Sequence, residues 1–299
     1  GHLFFFSYFI YKHFNVYPFL SYIFNYIILR LQSLYIFKHH NIHIVTKKFG
    51  GTMPKIYLSP STQEFNIYAG GGTEEEYMNI LADFMEPYLL SSGINFVRNT
   101  PEMTAASSIR QSNEGNYDLH LALHSNAAPE YLSGQLRGSD VYYYPRSVKG
   151  YEAAEIIASN LRQIYPDPEL VNAVPTTGIG EVKRTKAPAV LVEVAYHDNI
   201  SDEEWIKNNL GEIASNLVLS LTQYFGLPFI PFTSARPAVV KTNGGNLNIR
   251  EYPSSDSDIN SVVPNGSEVA VLGQSGPWYS VYHNGTAGFA FSEYISLSL

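Results

Sequence analysis

Two apolar runs of strand length constrain the fold more than any other feature. Val190 to Val194 is rich in β-branched residues and follows Pro188, and Leu119 to Leu123 is a second run of the same kind. Runs without polar alternation suit strands covered on both faces, as in a parallel sheet. Each also carries a group that is costly in such a place. Glu193 lies inside the first run, His120 lies inside the second, and His124-Ser125-Asn126 follows it. A carboxylate in an apolar strand must be paired, hydrogen-bonded or bound to metal.

Open α/β sheets bind ligands beyond the carboxyl ends of their strands. Strands ending in His124 and Glu193 therefore point to a hydrolytic metal site. His120 and His124 share one strand face, but four residues at roughly 3.3 Å rise separate them by about 13 Å, too far for one ion. His124 is the candidate at the strand end, and His120 is expected to be a hydrogen-bonded core residue. The chain has no cysteine, which excludes thiolate zinc sites, disulfides and cysteine nucleophiles.

The surrounding pattern alternates strands and helices. A short strand at 55–58 leads through a polar loop and Gly70-Gly71-Gly72 to Thr73, a candidate N-cap. Glu74, Glu75 and Glu76 open the helix that follows, where acidic residues complement the macrodipole, and Gly93 ends it. Further strands are expected at 94–97, 118–123, 140–144 and 190–194, with helices at 104–113, 151–164 and 202–225. Residues 166–181 read as irregular. This is an α/β arrangement, a mostly parallel sheet flanked by helices, in one domain over 53–228. Residues 229–243 read as a proline-containing linker. Beyond them Leu247 and Ile249, then Val269 and Val271, alternate with polar residues, and Asn284-Gly285 is a hairpin signal. Residues 244–299 are therefore expected to form a small all-β barrel.

Residues 1–52 differ from the rest. Five of the 19 Lys and Arg fall there and none of the 27 Asp and Glu. His13 to Leu29 holds no charged residue, but Asn15, Pro18, Ser21 and Asn25 interrupt it. The segment reads either as non-native sequence ahead of a start at Met53, or as a membrane or export segment. A membrane partner follows only if it is native. The net charge of −8 argues against nucleic-acid binding.

Glu74 at its helix start, Leu123-His-Ser-Asn126 and Val190-Leu-Val-Glu-Val194 together resemble the zinc-dependent N-acetylmuramoyl-L-alanine amidases of bacterial cell-wall turnover. The resemblance spans about 175 residues. It implies a Zn2+ site that includes Glu74 and His124, with Glu193 as the catalytic carboxylate. Glu75 is the alternative to Glu74. The family's first zinc histidine is missing: Thr62 falls at its place and Gln63 one step further. The third ligand is then Gln63, binding weakly, or His197 folding in from beyond Glu193. The resemblance implies that peptidoglycan is cut between N-acetylmuramic acid and L-alanine by zinc-activated water. The alternative is an inactive amidase-like protein that binds the wall. Arg137, Lys183 and Arg184 are candidates for contacting substrate carboxylates; Asn126 is a further substrate-binding candidate, or bonds the loop backbone or orients His124.

Gly245-Asn-Leu-Asn-Ile-Arg250, Pro277-Trp278-Tyr279 and Gly288-Phe289-Ala290 resemble the bacterial SH3 (SH3b) domains, which commonly bind cell-wall peptides. Together the two resemblances imply an extracellular or wall-associated protein.

Overall fold

The computed structural model describes residues 53–298, so the readings made for residues 1–52 fall outside it. Among the described residues, no helix is long and apolar enough to cross a membrane.

The first sheet has six strands: β1 (Lys55–Pro60), β2 (Asn95–Arg98), β3 (Leu119–Asn126), β4 (Ser139–Tyr143), β5 (Val171–Pro175) and β6 (Ala189–Tyr196). Their order is β2-β1-β3-β6-β4-β5. Every pairing is parallel except β4 with β6. The two apolar runs are the adjacent central strands β3 and β6, and this explains their lack of alternation. Leu121, Leu123, Val190, Val192 and Val194 pack into the main core. The helices on that side are α1 (Glu74–Ser91), α3 (Val148–Leu161) and α5 (Ile200–Phe225). Ala122 and Leu191, on the opposite face, pack with Val182 of the short helix α4 (Gly180–Lys183). Because side chains alternate between faces, His120, His124 and Glu193 project to the α4 side. Helix α2 (Ala105–Glu114) completes the first part of the chain.

Three element boundaries depart from the sequence reading. Strand β3 runs on to Asn126, so His124 and Ser125 lie in the strand, and its pairing with β6 shifts register between His124 and Asn126. The polar residues masked this extension, and the shift carries it. The stretch read as irregular contains β5 and the start of α4. Strand β5 lies at a sheet edge and is only partly buried, which removes the apolar signature. The reading of 229–243 as a linker is corrected by β7 (Arg236–Val240), which pairs with two neighbours. Pro237 suggested a break, but it is the second residue of β7, near the strand start where proline is tolerated.

With β8 (Leu247–Arg250), β9 (Ile259–Val263), β10 (Glu268–Ser275), β11 (Trp278–His283), β12 (Thr286–Phe291) and β13 (Ile295–Leu297), β7 forms a second sheet. The order is β13-β7-β10-β11-β12-β8-β9, and every pairing is antiparallel. Asn284 and Gly285 join β11 to β12 with φ of 48° and 83°, the left-handed pair a two-residue hairpin loop demands.

The second sheet shares core with the first. Phe289 of β12 is fully buried in the cluster that α1 and α5 line. Gly93, at φ 78°, lies so close to it that a Cβ there would stand 2.6 Å from the ring. Ser91 donates to the Ile230 carbonyl at 2.6 Å, and the Ala287 amide donates to Asn95 Oδ1 at 3.2 Å.

Candidate functional site

The site lies at the carboxyl ends of β1, β3 and β6. Thr73 caps α1, its hydroxyl accepting from the Glu76 amide, and so sets Glu74 as the first helical residue. Strand pairing sets His124 directly beside Glu193. The loop after β1 brings in Gln63.

Three of these groups converge. His124 Nδ1 lies 2.7 Å from Glu74 Oε1. Gln63 Nε2 lies 3.3 Å from that same Nδ1 and 3.5 Å from the same Glu74 oxygen. Asn66 donates to the other Glu74 oxygen at 2.5 Å. The far nitrogen of His124, Nε2, lies 3.2 Å from Glu181 Oε2. Glu193 is half-buried, and its Oε2 is buried without a hydrogen-bond partner.

Electrostatics follow from this crowding. Burial pushes the Glu193 carboxyl up to about 7; the nearby His124 charge opposes the shift, while Glu74, Asp140 and Glu181 add to it. Burial also acts on Glu74, but hydrogen bonding and charge from His124 outweigh it and hold that carboxyl below its ordinary value. For His124 burial favours the neutral ring, yet Glu181 and Glu74 lift its pKa well above the usual histidine range. Burial likewise raises Glu181, and bonds from His120 and His124 reverse this, leaving it far below the carboxylate norm.

The other predicted residues are placed elsewhere. The Glu75 carboxylate accepts from Asn79 at 3.3 Å. His197 is buried, stacks on Tyr68 with ring centroids 5.1 Å apart, and bonds Ser125 through Nδ1 at 2.9 Å. Asn126 Oδ1 accepts from the Ala127 amide at 2.9 Å. Arg137 is held by Asp167 at 2.8 Å and by the fully buried Asp202 at 3.1 Å. Lys183 and Arg184 are exposed beside α4.

His120 is fully buried and bonded, with Ser112 at 3.0 Å and Glu181 at 3.2 Å. Glu181 is the residue that sequence reasoning missed, because it stands alone in a stretch without periodicity. A signal existed: a histidine inside an apolar strand demands a partner, and one acidic residue flanked by Ile179 and Val182 was a candidate.

Among the described residues, no three His, Cys, Asp or Glu side chains gather as a metal-binding group. The donor set is instead Glu74, His124 and an amide. Turning the Gln63 amide by half a revolution presents its oxygen in place of its nitrogen. Glu193 adds its free oxygen beside them, and three buried or half-buried carboxylates, Glu74, Glu181 and Glu193, lie among two imidazoles, His120 and His124. Such an excess of buried negative charge calls for protons or a cation. The set fits a divalent ion held by two strong ligands and one weak one.

The sequence profile described as N-acetylmuramoyl-L-alanine amidase matches residues 62–223, and that of the bacterial SH3 domain matches residues 245–296. The fold is similar to that of the N-acetylmuramoyl-L-alanine amidase AmiC2 of Nostoc punctiforme, at 16% identity and a TM-score of 0.51 over 58% of this chain and 99% of that one. The N-acetylmuramoyl-L-alanine amidase from Clostridium difficile 630 gives 14% identity and a TM-score of 0.52 over 58% and 98%. The amidase Ami1 from Mycobacterium smegmatis gives 14% and 0.50 over 59% and 99%. Among curated proteins, none matches the sequence significantly.

Proposed function

Because the chain belongs to the N-acetylmuramoyl-L-alanine amidase family, we propose that Glu74, His124 and Gln63 hold zinc and that Glu193 drives hydrolysis beside it. The bond cut is the amide joining N-acetylmuramic acid to L-alanine of the stem peptide. Zinc, when bound, polarises the amide carbonyl and makes its water a nucleophile near neutral pH.

The chain's own residues supply the rest. The observation that carries the reading is the half-buried Glu193, with one oxygen free and its pKa near 7. A carboxylate poised there takes a proton from the attacking water and returns it to the leaving amine. Glu74 and His124 contribute the strong ligands, and Gln63 the weak one. Lys183 and Arg184, exposed beside α4, are free to meet stem-peptide carboxylates. The side chain of Arg137 braces the loop before β4, since Asp202 grips both its guanidinium and the Gly138 amide. The SH3-type sheet holds the wall, which makes the protein extracellular or wall-associated.

The test is release of L-alanine amino termini from purified cell walls. Glu193→Ala should lower the rate by a factor of about 10²–10⁴, the usual worth of a positioned acid–base, while leaving wall binding intact. Equal rates for the two proteins would defeat the assignment. A second reading, an inactive wall-binding protein, is favoured by the amide at a ligand position. It predicts wall binding with neither zinc uptake nor amine release.

A further inference from the structure

The amidase reading uses Glu74, His124 and Glu193 but leaves Glu181 without a role. This carboxylate is 5% exposed, comes from a four-residue helix on the sheet face opposite α1, and spends both oxygens on other side chains. Oε1 lies 2.7 Å from Ser59 Oγ and 3.2 Å from His120 Nε2, and Oε2 lies 3.2 Å from His124 Nε2. The backbone beneath it is fixed too, because Thr185 donates to the Glu181 carbonyl at 3.0 Å.

The direction of each hydrogen bond follows from the chemistry of the groups. An ionised carboxylate only accepts, so Ser59, His120 and His124 all donate to it. With its proton on Nε2, His120 accepts at Nδ1 from the Ser112 hydroxyl, 3.0 Å away. Asn99 donates to Ser59 Oγ at 3.4 Å and to Ser108 Oγ at 3.0 Å. The three donors to Glu181 are consistent with one protonation pattern, which puts a proton on Nε2 of His124, while Asn99 Oδ1 stays without a partner. The other nitrogen, Nδ1, faces Gln63 and Glu74; at 2.7 Å from the Glu74 carboxylate it also donates while no cation is bound, and it must release that proton to become a ligand.

We propose that Glu181 is the positioning residue of the ligand histidine: it pins the His124 proton on Nε2, fixes the ring plane, and presents Nδ1 to the cation. This rests on the zinc reading given above. A ligand histidine whose second nitrogen donates to a carboxylate is a stronger and better-oriented ligand, and such partners are worth about 10–100-fold in metal affinity. His120 serves the same end from a distance. It holds Glu181 in place, which accounts for a histidine buried in an apolar strand.

The experiment compares the full chain with Glu181→Gln by two readouts. Zinc affinity, measured by competition with a chromophoric chelator, should fall about 10–100-fold. In metal-free protein, ring-selective nitrogen NMR should show the His124 Nε2 proton protected from solvent exchange in the parent and exposed in the variant. Affinity within about twofold of the parent, with the ring proton equally protected, overturns the proposal. If the parent takes up no zinc, the metal reading fails, and the ring proton alone still decides the role of Glu181. Should Glu181→Gln fail to fold, Ser59→Ala replaces it. That change removes one of the donors to the carboxylate, and should weaken zinc binding about fivefold, the worth of one hydrogen bond. No change in either readout for that variant would also refute the proposal.

Discussion

Replacing Glu193 by Gln should change how stability depends on pH, in a direction opposite to that of most native carboxylates. Burial holds the Glu193 carboxyl at about 7, against an ordinary value of 4.5. Between those two values the folded state keeps a proton that the unfolded chain has released. The folded state therefore binds more protons, and stability falls as pH rises through this window. At about 1.4 kcal/mol per unit of pKa shift, the loss is about 3 kcal/mol, and solvent reaching the half-buried side chain reduces it to about 2 kcal/mol. Glutamine has no such titration. Urea unfolding of both proteins in chelator, at about pH 5 and about pH 8, isolates the effect because the groups they share cancel. The variant should gain about 2–3 kcal/mol on the parent between the two conditions. A constant gap between the two proteins would mean that Glu193 titrates as an ordinary surface carboxylate, and its assignment as a poised acid–base would fall with it.

Two further outcomes follow from the geometry. Gln63→His replaces a weak ligand by a strong one and should tighten zinc binding by at least about tenfold, or about 1.4 kcal/mol; unchanged affinity would show that this position does not face the ion. Phe289→Ala should cost about 3–5 kcal/mol, as for other large buried aromatics. Trp205 in α5 and Trp278 in β11 report on the two sheets separately. In single-tryptophan proteins their unfolding midpoints should coincide, and they should separate in Phe289→Ala; two midpoints in the parent would refute a shared core.

The architecture could be read from the sequence where burial leaves a periodic or continuous trace. The two central strands, the helix opened at Thr73 and the Asn284-Gly285 turn are all of this kind. Weakly buried strands were lost, because β5 and β7 are short and half-solvated and both contain proline. His120 illustrates the same division within the site. Its place in an apolar strand was enough to require a hydrogen-bond partner, but identifying Glu181 needed the path of the chain between β5 and β6. Local pattern also could not decide between Gln63 and His197 as the group nearest His124. Both sit in loops, and the stacking of His197 on Tyr68 together with its bond to Ser125 removes it from the cluster.

The burial of Phe289 under Gly93 bears on how such a protein works on a solid substrate. A grip fastened to the cutting body acts as a jig, unlike one on a leash. Under the proposed function, each foothold on the wall then offers the blade a single offset, so the stem peptides it can reach are those that the weave of the wall presents at that distance.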